Sequence, residues 1–211
     1  MPPLSPLAVI LLAAGASSRM GRPKLLLPWA GTTVVGHLIS QWRELGVAQI
    51  TVVLRLDDSP LAGELDRLNF SREDRIPNPH PECGMFSSIH CAANWPGWRG
   101  GIARWAIALG DQPHLRLETL RRLLDVSAAN PDAVCQPTFG GQTAHPVILP
   151  ASVFECLKVS RAESFKEFLK LAAAPSVQPS INDPGLALDL DTPQDYIQAQ
   201  ASFLSHEQTG V

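Results

Sequence analysis

The stretch LAAGASSRMGRPKLLLP, Leu12 to Pro28, joins a turn of small residues to the cations Arg19, Arg22 and Lys24, and it follows an apolar run from Leu7 to Ala14. Taken singly, Gly15 or Lys24 signifies a tight turn or a solvated side chain. Taken together, Gly15, Ala16, Ser17, Ser18 and Gly21 leave a length of backbone unencumbered while three cations crowd onto it. Bare N–H groups beside positive charge suit a polyphosphate. The familiar phosphate loops do not fit: five residues rather than four separate Gly15 from Gly21, no Lys-Ser or Lys-Thr pair follows, and no G-x-G-x-x-G is present. The stretch reads as a nucleotide loop of another kind, at the end of a buried first strand.

Outward from that loop, strands and helices alternate. After a strand at Leu7 to Ala13, helical spacing of Val35, Leu38, Ile39, Trp42 and Leu45 predicts a helix from Thr33 to Leu45, stopped by Gly46. A strand at Ile50 to Leu54, a helix from Ser59 to Leu68, a Pro-rich loop from Pro77 to Gly84 and a helix from Met85 to Ala93 follow. A strand at Trp105 to Leu109 ends in GDQP, and a helix runs through LETLRRLLDV. Val134 to Thr138 and Pro146 to Leu149 read as strands around FGGQTA, with helices near Val153 to Leu157 and Ser164 to Ala173 beyond them. LALDLD reads as a last strand, and a final helix spans Pro193 to about Leu204, opened by Thr192 as N-cap with Asp195 completing a capping box. The expected fold is α/β: a three-layer, Rossmann-like, mostly parallel sheet with a small β-hairpin insertion, one domain over residues 1–211.

In such a sheet ligands bind beyond the carboxyl ends of the strands. That places the loop cations and Asp111 of GDQP on one rim. Asp followed two residues later by Pro is also a common turn, but strand alternation in LALDLD sends Asp189 and Asp191 to the face opposite Leu188 and Leu190, which asks for positive charge nearby. Magnesium takes hard oxygen ligands, one or two carboxylates completed by water and phosphate, and Asp111 with Asp189 or Asp191 matches that demand.

Composition narrows the class. The 211 residues are 45% hydrophobic and 18% charged, enough for a full core, and the net charge of −3 argues against a nucleic-acid wrapper. Four cysteines, Cys83, Cys91, Cys135 and Cys156, are too few and too widely spaced for a disulfide scaffold, and none form a C-x-x-C pair. The Leu7 to Ala14 run has no Lys or Arg before it and is too short to span a bilayer. A cytoplasmic protein without a membrane or nucleic-acid partner is expected.

With LAAGASSRMGRPKLLLP, NPHPECGMFSSI, GDQP, HPVILP and LDLDTPQDY in that order, the chain resembles the nucleotidyltransferase family of the molybdenum cofactor cytidylyltransferases and guanylyltransferases. The guanylyl type carries Leu-Ala-Gly-Gly where this chain has Leu12, Ala13, Ala14 and Gly15, so the resemblance leans to the cytidylyl type. It implies that Leu12, Ala13, Ala14 and Gly15 hold the nucleotide through backbone, that Arg19 and Lys24 hold the triphosphate, and that Ser87 and Ser88 lie near the base. It implies catalytic roles for Arg19, Lys24 and Asp111, a metal site for Mg²⁺ at Asp111 with Asp189 or Asp191, and an acceptor contact at His145 and Pro146. Relatives usually show Gly before that His-Pro pair; here Ala144 stands there.

The implied reaction is transfer of CMP from CTP to the terminal phosphate of molybdopterin, with release of pyrophosphate and a molybdenum hydroxylase or its chaperone as downstream partner. Guanylyl, uridylyl or other cytidylyl transfer to a different phosphorylated small molecule stays open. So does a noncatalytic cofactor carrier, although a pure binder has little use for a complete metal site.

Overall fold

The computed structural model describes residues 6–209, and side chains as far as Leu204. Strand β1 (Leu7–Leu12) is apolar along its whole length because it lies in the middle of a sheet covered on both sides. It pairs in parallel with β2 (Gln49–Arg55) on one side, and β2 with the edge strand β3 (Arg75–Asn78). On the other side lies β4 (Arg104–Leu109), again parallel. Beyond it come β5 (Val134–Cys135), β6 (Val147–Pro150) and β7 (Ser176–Val177), in the spatial order β7-β5-β6-β4-β1-β2-β3, with β6 antiparallel to both of its neighbours.

The period-two alternation of β1 divides the core. Leu7, Val9 and Leu11 face one side, where they meet α1 (Val34–Glu44), α2 (Ser59–Arg67), α4 (Leu117–Ala129) and α7 (Pro193–Thr209). Ala8 and Ile10 face the other, where α3 (Met85–Ala93), α5 (Ala151–Cys156) and α6 (Phe165–Leu171) pack with Phe86, Ile89, Phe154, Phe165 and Phe168. Helix starts follow local chemistry. Thr33 Oγ1 accepts from the Gly36 N–H, and Asp58 Oδ1 accepts from Leu61 N–H with Pro60 in the first turn. At α7, Thr192 and Asp195 form the expected reciprocal box: the Thr192 N–H and hydroxyl donate to Asp195 Oδ2, and the Asp195 N–H donates to Thr192 Oγ1. The Tyr196 hydroxyl then bonds the Pro28 carbonyl and ties α7 to the segment after the glycine loop.

The insertion is a hairpin of Thr138–Phe139 with Gln142–Thr143, turned by Gly140 and Gly141, both at positive φ as a tight hairpin turn requires. Among the described residues no helix is long and apolar enough to cross a membrane, and the four cysteines are free.

Two expectations are corrected. The Pro-rich loop begins later than Pro77, because Arg75–Asn78 pairs with β2; a proline is accommodated there since β3 is an edge strand with one side unpaired. LALDLD is not a strand. Pro184 and Gly185 fold into a 3₁₀ turn (Pro184–Ala187) whose cap is Asp183, and the chain then runs extended over the end of β4, held by a Leu190 N–H bond to the Asp111 carbonyl. Alternation survives without a ladder: Leu190 is fully buried while its acidic neighbours face the opposite way.

Candidate active site

All four strands from β3 to β4 across the sheet are parallel, so their carboxyl ends open on one rim, and the segments after Leu12, Arg55, Asn78 and Leu109 meet there. The loop after β1 leaves the sheet with the Ala13 N–H still bonded to the Val53 carbonyl. Ser17 sits in the left-handed region (φ 51°), its carbonyl accepts from the Met20 N–H, and its hydroxyl accepts from the Lys24 N–H at 3.2 Å. Gly21 turns the chain again at φ 70°. Where this loop passes the end of β4, Gly110 is obligatory: a Cβ there would meet the Leu12 carbonyl oxygen at 2.7 Å, and the Gly110 N–H bonds that same carbonyl.

Lys24 is the centre of the arrangement. Its Nζ lies 2.5 Å from Asp111 Oδ2 and 3.3 Å from Asp191 Oδ1, and its side chain is 13% exposed. Arg19 Nη2 pairs with the other oxygen of Asp191 at 2.6 Å while remaining mostly exposed itself. Asp189 is taken by Gln112, whose Nε2 donates to its Oδ1 at 2.9 Å. Burial of that carboxyl end and the nearby Asp111 charge push the Asp189 pKa up, against the Gln112 hydrogen bond. Asp111 Oδ1 is buried and has no hydrogen-bond partner.

Two cavities flank Lys24. One, of about 340 Å³, is lined by Leu12, Ala13, Ala14 and Gly15 on one wall, Ser88 and Met85 on another, and Asp111, Asp189 and Asp191 at the base. The other, of about 520 Å³, lies on the far side of the loop, between Gly15, Ser17, Arg22 and Lys24 and the residues Arg55, Asp57 and Asp58 after β2. Gly15 has open space where a Cβ would stand, so its backbone is bare toward the cleft.

Most of the expected site residues are therefore brought together, with three differences. Arg19 is engaged by Asp191 and lines neither cavity, whereas Arg22 lines the larger one. Ser88 reaches the smaller cavity, but the Ser87 hydroxyl is turned into its own loop, donating to the His80 and Gly84 carbonyls. His145 and Pro146 line neither cavity. The His145 Nδ1 faces the Ile107 carbonyl at 3.2 Å and its ring stacks on Phe165; burial holds its pKa low, against the Ile107 bond and the Asp111 charge.

Two residues were not anticipated. Asn78, fully buried at the end of β3, donates from Nδ2 to both Ser87 and Ser88 and accepts the His80 N–H, so it shapes the whole wall. An Asn closing a strand before a Pro-rich turn was the signal available. Gln112 stands within GDQP itself and orients Asp189.

The donor set suits a divalent cation. Hard oxygens of Asp111 and Asp191 already share one positive group, and Asp111 Oδ1 is an orphaned acceptor beside it. Among the described residues no three His, Cys, Asp or Glu side chains form a group able to hold a metal ion by themselves. Asp111, Asp189 and Asp191 share the base of the smaller cavity, but Asp189 is bonded to Gln112, so Asp111 with Asp191 is the pair that directly faces the positive group. Two carboxylates completed by phosphate remain an adequate magnesium site.

The sequence matches the MobA-like NTP transferase domain over residues 9–176. It is 25% identical to the molybdenum cofactor cytidylyltransferase of Escherichia coli, over 95% of this chain and 98% of that one. It is 33% identical to the bifunctional protein GlmU of Kineococcus radiotolerans over 63% of this chain, spanning 27% of that longer protein. Among solved structures, Rv0371c from Mycobacterium tuberculosis superposes with a TM-score of 0.72 at 25% identity, covering 93% of this chain and 98% of that one. Its complex with manganese gives 0.67 at 25% identity over 93% and 99%. A parallel sheet with a glycine loop and an aspartate on its carboxyl rim, matched by family and by fold, makes this chain a nucleotidyltransferase that belongs to the MobA-like NTP transferase domain family.

Proposed function

We propose that the protein, as one nucleotidyltransferase domain over residues 1–211, transfers CMP from CTP to the terminal phosphate of molybdopterin and releases pyrophosphate. The observation that carries nucleotidyl transfer is the convergence of Lys24 with Asp111 and Asp191 beneath a bare glycine loop. The choice of CTP and molybdopterin rests on full-length similarity to the E. coli cytidylyltransferase and on Ala14, whose methyl group narrows the wall where the guanylyl type has glycine.

An acceptor phosphate oxygen attacks the α-phosphorus in line, a new P–O bond forms, the bond to the β-phosphate bridging oxygen breaks, and pyrophosphate leaves with the electron pair. An anionic nucleophile approaching a triphosphate meets like-charge repulsion, so the side chains mainly screen and position. Lys24 and Arg22 face the phosphates from the loop, and Arg19 orients Asp191. Asp111 and Asp191 would hold Mg²⁺, which when bound neutralises phosphate charge. Ser88, fixed by Asn78, and the Ala13–Gly15 backbone form the nucleotide wall; His145 is held by the Ile107 carbonyl and Phe165 and lines neither cavity.

The test is to incubate the purified protein with each nucleoside triphosphate, Mg²⁺ and molybdopterin and to measure pyrophosphate. CTP with molybdopterin should turn over fastest; faster turnover with GTP overturns the nucleotide assignment. The 33% match to GlmU favours a second reading, in which the acceptor is another phosphorylated small molecule. Pyrophosphate release from such an acceptor and none from molybdopterin would select it.

A further inference from the structure

Lys24 belongs to both cavities that meet at the loop. Its backbone is pinned by the Ser17 hydroxyl and by the short 3₁₀ turn Lys24–Leu26, so exchange of its ammonium between the two cavities would need only rotation about its side-chain bonds. In the conformation described, the ammonium occupies the carboxylate side. Three carboxylates, Asp111, Asp189 and Asp191, face two cations there, Lys24 and Arg19, so the cluster is one charge short of neutral. That deficit is too small to accommodate a divalent ion beside Lys24 without excess positive charge in a partly buried space.

We infer that Lys24 competes with the divalent cation for Asp111 and Asp191, and that the arriving triphosphate draws it off to the loop side, so that metal and nucleotide binding are positively coupled through one side chain. The inference rests on the nucleotidyl-transfer reading, which supplies the triphosphate. Attraction toward the loop is built in: Arg22 and the bare backbone at Gly15 and Ser17 line that cavity, and a polyphosphate held there offers Lys24 an anionic partner of higher charge than Asp111. With Lys24 withdrawn, a divalent ion restores neutrality among the three carboxylates and Arg19. Coupling of this kind is reciprocal and commonly reaches about 5- to 150-fold.

Binding rather than turnover tests it, with Mn²⁺ as the probe, followed by the EPR signal of the free ion in nucleotide-free protein. Lys24→Met should bind Mn²⁺ about tenfold or more tighter than wild type, Lys24→Arg should resemble wild type, and Asp111→Asn should abolish binding in either background. The reciprocal arm is CTP binding in EDTA, where Asp111→Asn should bind about fivefold or more tighter than wild type by releasing Lys24, and that gain should vanish when Lys24→Met is added. Mn²⁺ binding that depends on Asp111 but is no tighter in Lys24→Met overturns the competition and leaves the metal site standing. A CTP gain that persists without Lys24 overturns it equally, since simple removal of a negative charge then explains it. Mn²⁺ binding untouched by Asp111→Asn overturns the metal site itself.

Discussion

Asp111→Asn separates the site's chemistry from its stability. The substitution keeps side-chain shape but removes the charge from a carboxylate 2.5 Å from Lys24, in a pair whose side chains are 13% and 18% exposed. A charge-assisted hydrogen bond in such a place contributes on the order of 1–3 kcal/mol. Much of that loss is offset. Lys24 keeps Asp191 at 3.3 Å, the Asn carbonyl still accepts a hydrogen bond, and the Asp111 charge that raises the Asp189 pKa is gone. The net cost is about 1 kcal/mol, which in a domain of this size lowers Tm by roughly 2–4 °C. The effect on catalysis is far larger, because the lost charge acts where phosphate charge develops: turnover should fall on the order of a hundred- to a thousandfold. Differential scanning fluorimetry and the pyrophosphate assay with CTP, Mg²⁺ and molybdopterin measure the two on one preparation. A variant that retains more than about a tenth of wild-type turnover would refute the role of Asp111, as would a Tm loss large enough to explain inactivity by unfolding.

The two C-terminal carboxylates should differ: Asp191→Asn removes a charge paired with both Lys24 and Arg19 and should cut turnover more than Asp189→Asn, whose amide oxygen can still accept from neutral Gln112; the opposite ranking in the pyrophosphate assay contradicts the assignment. Gly110→Ala forces a Cβ onto the Leu12 carbonyl at 2.7 Å and should destabilise by about 1–3 kcal/mol, seen as a lowered denaturant midpoint; an unchanged midpoint removes the claim of close approach. Burial lowers the folded-state pKa values of His114 and His145 below the unfolded value of about 6.5, so the stability they confer as neutral groups is full above that pH and is lost as pH falls through it. Tm should therefore decline on acidification from about pH 7 toward 5, and a rise across that window counts against neutral, buried imidazoles.

The loop after β1 was legible because its composition is local: small residues, three cations and a preceding buried strand are all contiguous in Leu7 to Lys24. Asp111 was legible for the same reason, sitting two residues past a strand whose apolar run announces it. LALDLD misled because an extended segment and a strand present the same alternation; what distinguishes them is a ladder, and only the Leu190–Asp111 backbone bond is made. Reading Asp189 and Asp191 onto one face thus succeeded, while the strand did not form. Ser87 and Ser88 could not be told apart in sequence, since which hydroxyl reaches the cavity depends on how the loop folds back to offer Ser87 the His80 and Gly84 carbonyls. His145 was placed by its motif, but the Ile107 carbonyl and Phe165 that claim its ring come from distant parts of the chain.

The partnership of Lys24 with Asp191 joins residues 167 positions apart. At roughly 5–20 residues per second, a ribosome exposes the loop about 10–30 s before it has made its second carboxylate. For the later part of that interval, once Asp111 has followed 87 positions after Lys24, a nascent chain carries the cations and Asp111 without the Asp191 that completes their charge balance. On the proposed assignment, competence for nucleotidyl transfer is therefore among the last properties the growing polypeptide acquires, since Asp191 and the α7 core residues Tyr196 and Ala199 all come after the rest of the site.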